Sequence, residues 1–189
     1  MRATCAVLRM VMCVLVSLPS AQGQETVSAE YQSKANFIAQ FPNFIEWPET
    51  AFASPQAPFN VCVLGDFSFG TALAEATRRE TFHNRKVDVR WVRKIADVHG
   101  CQILFVSRSE SRRYEPVLAA VHHAEVLTVG ETPEFLGAGG AVSFSYDQRG
   151  LQFEVNLSAT QDARLAMSSR LLSLARRVVN LNRMEAAKG

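Results

Sequence analysis

Three short apolar runs constrain the fold of this chain more than any other feature. They cover residues 58–64, 102–107 and 124–130. Each run is short for a helix and rich in β-branched or aromatic residues, which indicates strands that are buried on both faces. Helical patterns at 66–82 and 108–123 separate them. Strands that alternate with helices favour an α/β fold with a largely parallel sheet flanked by helices.

Three further elements complete the predicted domain. Residues 86–92 alternate in polarity, which predicts a strand with Val87, Val89 and Trp91 on one side. Residues 141–157 alternate on both sides of a turn at 147–150 and predict an antiparallel hairpin with one buried face. A capping box at 158–161 then predicts one long final helix that ends near residue 179.

The first 23 residues have the organisation of a cleavable signal peptide. Arg2 and Arg9 precede a short apolar core, and small residues at positions 21 and 23 mark a cleavage site. The apolar core is shorter than a membrane-spanning helix requires; an uncleaved anchor is the alternative. We therefore expect an exported chain with four parts: a signal peptide at 1–23, a flexible start at 24–30, a single domain at 31–181 and a flexible tail at 182–189.

Removal of the signal peptide changes both the charge and the cysteine content. The whole chain has 20 basic and 18 acidic residues, and the signal contains Arg2, Arg9 and no acidic residue. The mature chain is therefore formally neutral, which gives no reason to expect nucleic acid as a partner. Cys62 and Cys101 remain, and an even pair in an exported chain favours a disulfide. Two buried free thiols are the alternative.

Residues 36–52 concentrate large aromatic side chains around two prolines. Their helical spacing predicts a first helix, beginning near Tyr31, with one face docked on the sheet. The residues of that face are Phe37, Phe41, Phe44 and Ile45. Pro42 lies inside the pattern and predicts a break near residue 40, because a proline removes a helical hydrogen bond.

The break makes it difficult for this segment to bury every large apolar side chain. We therefore predict an exposed apolar patch, and such patches mark surfaces that contact a partner. The partner-binding candidates are Ile38, Trp47 and Phe52. For each of them, a place in the core is the alternative.

The segment 64–70 follows a buried strand and opens a helix. Small ligands bind at the carboxyl ends of strands in open α/β sheets, and helix amides can hold an anion there. The candidate ligand-binding residues lie at two such strand ends: Gly65, Asp66, Ser68, Ser107 and Arg108. The alternative is an ordinary connection in which Asp66 or Ser68 caps the helix.

The sequence contains no recognisable catalytic or metal-binding constellation. His122 and His123 point in different directions on a helix and lack a third ligand at a suitable spacing. Ser168 and Ser169 lie outside the strand–turn–helix context of a nucleophile elbow. We therefore expect a protein that is not an enzyme and needs no metal or cofactor.

Four segments in this order resemble the YfiR-like family of periplasmic proteins. They are residues 34–48, 59–73, 101–107 and 142–176. The resemblance implies an α/β sandwich and a regulatory role, namely repression of an inner-membrane diguanylate cyclase through contact with its periplasmic part. Lower cyclic di-GMP and altered biofilm formation would follow.

The resemblance also carries expectations about the disulfide and the partners. It implies a bridge between Cys62 and Cys101, whereas a second cysteine pair of the best-known member has no counterpart here. The implied partners are a membrane diguanylate cyclase or similar sensor protein and an outer-membrane lipoprotein that can sequester the repressor; a homodimer is a further expectation. The alternative function is a periplasmic module that binds a small ligand at the strand ends, and an enzyme is the third.

Overall fold

The computed structural model describes residues 28–181. The strands are β1 (Ile45–Glu46), β2 (Phe59–Leu64), β3 (Thr81–Phe82), β4 (Arg85–Val92), β5 (Ile103–Val106), β6 (Leu127–Gly130), β7 (Val142–Asp147), β8 (Gly150–Asn156), β9 (Ala166–Met167) and β10 (Arg177–Val179). The α-helices are α1 (Ala29–Gln40), α2 (Phe67–Thr77), α3 (Tyr114–Ala120), α4 (Glu134–Gly137), α5 (Leu157–Asp162) and α6 (Ser169–Leu174). Short 3₁₀ helices occupy Phe41–Asn43, Glu49–Ala51, Ile95–Val98 and Arg108–Arg113. The predicted signal peptide and C-terminal tail lie outside the described residues.

Eight strands form one mixed sheet in the order β10-β8-β7-β6-β5-β2-β4-β3. The central strands from β7 to β4 are all parallel, whereas β8 and β3 are antiparallel to their inner neighbours and β10 is parallel to β8. β1 and β9 form a separate antiparallel pair. The largely parallel α/β sheet and the final hairpin of the prediction are therefore confirmed.

Alternate residues of the central strands pack on opposite faces of the sheet. Val61 and Phe105 point into a core that α1, α2 and the last helices cover. Cys62 and Leu104 point into a second core beneath α3. This alternation explains the continuous apolar runs, because both faces of each strand are shielded from water.

The disulfide predicted between Cys62 and Cys101 is present. It joins the middle of β2 to a residue two positions before the start of β5, and both cysteines are buried. The bridge therefore ties two neighbouring strands together inside the second core.

The first helix ends where its proline predicts. α1 stops at Gln40, and Pro42 lies in the 3₁₀ turn that follows. Its start differs from the prediction, because the Ser28 side chain accepts a hydrogen bond from the Tyr31 amide and begins the helix at Ala29. Residues 28–30 therefore belong to α1 and its cap.

The predicted long final helix is wrong. α5 ends at Asp162, and Arg164 adopts a left-handed conformation that directs the chain away from the helix axis. β9 then pairs with β1, Ser168 caps the short helix α6, and β10 joins the sheet beside β8. Two long-range strand pairings replace the middle and the end of the predicted helix.

Candidate functional site

The structure brings the predicted ligand-binding loops together at the carboxyl edge of the parallel strands. Gly65 and Asp66 follow β2, and Ser107 and Arg108 follow β5, its neighbour in the sheet. Gly65 has a φ of +107°, and a Cβ atom there would lie 2.7 Å from Ser107 Cβ. Only glycine lets the two loops approach so closely.

Asp66 has a structural role at this edge. Its carboxylate accepts a hydrogen bond from the Ser68 amide at 2.8 Å and caps α2. It also accepts a hydrogen bond from the Tyr31 hydroxyl at 3.0 Å, which attaches α1 to the same loop. Asp66 and Ser68 therefore form a capped strand-to-helix connection, which was the alternative interpretation of this segment.

A network of four charged residues fills the space between α1 and the strand ends. The Lys34 ammonium donates to Glu131 Oε2 at 2.5 Å and also to Glu30. Arg108 donates through its backbone amide to Glu131 Oε1 at 2.8 Å and through its guanidinium to Glu30 at 2.9 Å. Two cations and two anions thus neutralise one another.

Burial makes this network unusual for charged side chains. Lys34 is 1% exposed and the Glu131 side chain is fully buried. The Glu131 carboxylate raises the pKa of Arg108, and burial is the main cause of the raised pKa of Tyr31 beside it. Within residues 28–181, every fully buried side-chain nitrogen or oxygen has a hydrogen-bond partner. The buried charged groups at this edge of the sheet are therefore paired with one another.

The sequence predicted Arg108 as a site residue but did not predict the charged residues with which it pairs. Lys34, Ile38, Phe41 and Ile45 have helical spacing, so Lys34 extends the buried stripe of α1. A lysine on such a stripe indicates a buried ion pair, because an unpaired charge is costly to bury. Glu131 directly follows β6, at the same edge of the sheet, and is the anion that this lysine requires.

Two of the three partner-binding candidates are not exposed. Ile38 is fully buried and Trp47 is 9% exposed, so the prediction of an exposed patch is wrong for both. The Trp47 indole packs edge-on against Phe59 and donates to the Gln102 carbonyl oxygen at 3.1 Å. That hydrogen bond satisfies the polar atom of the ring inside the core.

The third candidate, Phe52, is half-buried at the mouth of a groove. The Arg85 guanidinium lies 3.9 Å from the centre of its ring. Phe52, the edge of Trp47 and Phe82 line a cavity of about 250 Å³. Arg85 donates to the Ser54 and Ala57 carbonyl oxygens, so it holds the loop before β2 in place.

A different pair of aromatic residues is exposed. Phe67 is 67% and Trp91 is 42% exposed, and their rings stack at 5.5 Å. Trp91 lies in register with Val63, two positions along β4 from Val89, so it shares one side of the strand with Val87 and Val89 as predicted. It is nevertheless more exposed than either valine. Nothing in the local pattern of either segment distinguishes these two rings from core residues.

Residues 28–181 contain no group of three or more histidine, cysteine, aspartate or glutamate side chains arranged to hold a metal ion. No helix within the same residues is both long and apolar enough to cross a membrane.

Comparison with solved structures shows a shared fold. A conserved domain protein from Vibrio cholerae O1 biovar eltor has a TM-score of 0.53 and 11% identity over 78% of this chain and 60% of its own. An ABC domain from Streptococcus pneumonia, solved in complex with L-Trp, has a TM-score of 0.53 and 10% identity over 79% of this chain and 60% of its own. This chain thus spans about three-fifths of each, and the low identity limits the likeness to the fold.

Comparison at the level of sequence gives the family. No curated protein matches the chain. The family described as YfiR/HmsC-like matches residues 31–176, which is most of the described domain. The match extends from α1 to the segment before β10. It includes the disulfide, the exposed aromatic pair and three of the four residues of the ion-pair network, all but Glu30. The chain therefore belongs to the YfiR/HmsC-like family.

Proposed function

We propose that this protein is exported to the periplasm and represses an inner-membrane diguanylate cyclase by binding the periplasmic part of that cyclase. Family membership supports the proposal, because at the level of the family these proteins are periplasmic regulators of diguanylate cyclases. Repression lowers cyclic di-GMP and hence biofilm formation. An outer-membrane lipoprotein relieves the repression by sequestering the protein.

One observation favours a mechanism by protein contact: paired charges occupy the carboxyl edge of the sheet. In this fold a small-molecule site is expected there, but Lys34, Glu131, Glu30 and Arg108 satisfy one another. A partner protein needs no open pocket and binds a surface instead. This favours regulation by protein contact over catalysis or ligand capture.

Cyclic di-GMP in the native cell tests the proposal. Deletion of the gene is expected to raise its concentration, and the exported protein is expected to restore the original level. A version without residues 1–23 should fail to restore it, because it stays on the wrong side of the membrane. An unchanged concentration after deletion would refute repression of a cyclase.

Binding of a small ligand at the strand ends is the second candidate. The convergence of Gly65, Asp66, Ser107 and Arg108 favours it, and one protein of the same fold was solved with L-Trp. A thermal-shift screen of amino acids and other small metabolites tests it, since a ligand that binds the folded state raises the midpoint. A shift that disappears in Arg108→Ala would place the ligand at this edge.

A further inference from the structure

The exposed Phe67–Trp91 pair is held on rigid elements. Phe67 is the first residue of α2, directly after the Asp66 cap. The Trp91 indole packs against Gly70 of α2, so close that a Cβ atom there would fall 2.1 Å from its Nε1 atom. Rings fixed in this way lose little conformational entropy when a partner covers them.

Positive charge without a partner follows Trp91 in the sequence. Arg93 and Lys94 directly follow β4, are exposed, and form no ion pair or side-chain hydrogen bond with any residue of the described range. Asp66 is the nearest acidic residue to Phe67 in sequence. Its carboxylate accepts hydrogen bonds from the Tyr31 hydroxyl and the Ser68 amide. Asp97 is the closest exposed acidic residue along the chain after Lys94. Asp88, three positions before Trp91, is exposed but lies on the opposite side of β4, because side chains alternate along a strand. The exposed ring of Trp91 is therefore followed along the chain by unpaired positive charge.

We propose that Phe67, Trp91, Arg93 and Lys94 form a docking surface for an acidic segment of a partner protein that carries an exposed apolar side chain. The identification of this partner with the cyclase rests on the proposed function. Aromatic residues and arginine are enriched in the cores of protein interfaces. Complementary charge at the margin raises the association rate and selects the partner.

Two other occupants fit the surface less well. Recognition of an anionic membrane usually involves clusters of four to eight lysine or arginine residues. Only three basic residues lie within three positions of either ring in sequence, namely Arg90, Arg93 and Lys94. A symmetric contact with a second copy would place the two positive margins close together, since the same patch meets itself across a two-fold axis. Like charges facing each other oppose that contact.

Photo-crosslinking in living cells tests the proposal. A photoreactive phenylalanine analogue replaces Phe67, and the crosslinked peptide is identified by mass spectrometry. We expect the peptide to be acidic and to come from another protein. Reversal of both charges in Arg93→Glu with Lys94→Glu should lower the yield of this adduct at least tenfold while the protein remains folded and exported.

A matched position provides the control. Tyr146 is 41% exposed, close to the value for Trp91, and lies on the hairpin at a distant part of the sheet. The same analogue at Tyr146 should not give the adduct. Lys86→Glu, at the opposite end of β4 and also without an ion pair among residues 28–181, should leave the adduct yield unchanged.

The outcomes separate this surface from the proposed function. An adduct with lipid, an adduct with a second copy, or no adduct above the level at Tyr146 would overturn the docking surface. If the acidic protein adduct forms but deletion leaves cyclic di-GMP unchanged, the surface stands and repression of a cyclase fails. If deletion raises cyclic di-GMP and the folded variant Phe67→Ala with Trp91→Ala still represses fully, repression stands and this surface fails.

Removal of both aromatic rings should strongly reduce affinity for the partner if the rings anchor it. Truncation of an interface anchor lowers affinity by about thirtyfold or more, so the double alanine variant should behave like the deletion. Leu174→Ala serves as its control, because Leu174 is 61% exposed and lies on α6, away from the rings. Circular dichroism and the level of exported protein verify that each variant folds.

Discussion

Lys34 occupies an environment that lysine rarely tolerates. It is 1% exposed, and its ammonium group lies between the Glu131 and Glu30 carboxylates. A buried charge is stable only when it is paired, so the position of α1 over the end of β6 depends on this contact. Packing holds the helix on the sheet, and the ion pair fixes where along the sheet it lies.

Replacement of Lys34 by methionine is expected to lower the free energy of unfolding by about 3–5 kcal/mol. The substitution keeps most of the volume but removes the buried cation that lies 2.5 Å from Glu131. The fully buried carboxylate then keeps only the exposed Arg108, at 3.5 Å, as a cation, and loss of one partner of a buried ion pair is strongly destabilising. Urea unfolding followed by circular dichroism measures the change. The double variant Lys34→Met with Glu131→Gln should recover part of the loss, because neither charge then remains. A double variant as unstable as the single one would show that the charge on Glu131 is not the cause.

Gly70→Ala is expected to destabilise the protein, although alanine normally stabilises a helix by about 0.5–1 kcal/mol relative to glycine. The new Cβ atom would overlap Trp91 Nε1, so the indole must leave α2. Trp91 fluorescence and urea unfolding measure the displacement and its cost.

Gly137→Ala is the matched control for this change. Gly137 is the last residue of α4, and a Cβ atom there has no neighbour within 4 Å. It should leave both fluorescence and stability close to those of the parent. Equal behaviour of the two variants would mean that the indole does not depend on Gly70.

At the scale of single residues, the sequence predicted burial better than exposure. Phe41 and Ile45 are buried as their helical spacing indicates, and Phe37 and Phe44 pack against the same core. Trp47 was misjudged because its partners, Phe59 and the Gln102 carbonyl, come from distant parts of the chain. Exposure depends on what covers a side chain, and the covering residues are not encoded in its own segment.

At the scale of elements, strands with a continuous apolar pattern were predictable and the C-terminal helices were not. β2, β5 and β6 lie where their apolar runs place them. The spacing after residue 157 fits a helix, but the pairing of β9 with β1 and of β10 with β8 is more favourable than helix continuation. Tertiary pairing overrides local propensity here.

The Cys62–Cys101 disulfide is expected to contribute about 4 kcal/mol to the free energy of unfolding. It closes a loop with a sequence separation of 39, and a crosslink of that length restricts the unfolded chain by about this amount. The double variant Cys62→Ala with Cys101→Ala measures the contribution by urea unfolding without placing a hydroxyl group in the core.

Redox conditions provide the control for this prediction. A reductant present during unfolding should lower the midpoint of the parent and leave the double alanine variant unchanged. Equal midpoints for the oxidised parent and the variant would contradict a stabilising bridge.

At the scale of the whole molecule, stability is expected to fall as the pH rises above about 10. The pKa values of Tyr31 and Tyr114 are raised in the folded protein, chiefly because burial opposes their ionised form. The unfolded chain releases these protons near pH 10, whereas the folded chain keeps them. Stability is therefore fully present below pH 10 and is lost as the pH rises toward the folded pKa values.

Unfolding in urea at several values between pH 9 and 11.5 measures this loss. Tyr31→Phe with Tyr114→Phe should flatten the dependence, since the titrating groups are gone. Tyr146→Phe is the control for the removal of a hydroxyl group at an exposed position. The same slope in all three proteins would assign the alkaline loss to other groups.

The sequence predicts one part of the arrangement of the site and not the other. Parallel strands place the loops after β2 and β5 at one edge, so the meeting of Asp66 with Ser107 and Arg108 follows from the topology. Closure of that edge by Lys34 and Glu131 does not, because α1 reaches it only after packing across the sheet. Phe67 and Trp91 are likewise brought together by α2 lying on β4.

The pairing of β1 with β9 has a consequence for biosynthesis. It places Ile45 opposite Met167, and Phe37 and Phe41 pack against Phe144 of the hairpin. A nascent chain emerges from its N-terminus, so the aromatic segment 36–52 leaves the ribosome long before its cover does. During that interval it is a natural target for a chaperone that holds unfolded chains. Cys62 and Cys101 both emerge earlier than this cover, so a chain that stops before residue 142 could carry its disulfide and still aggregate through residues 36–52.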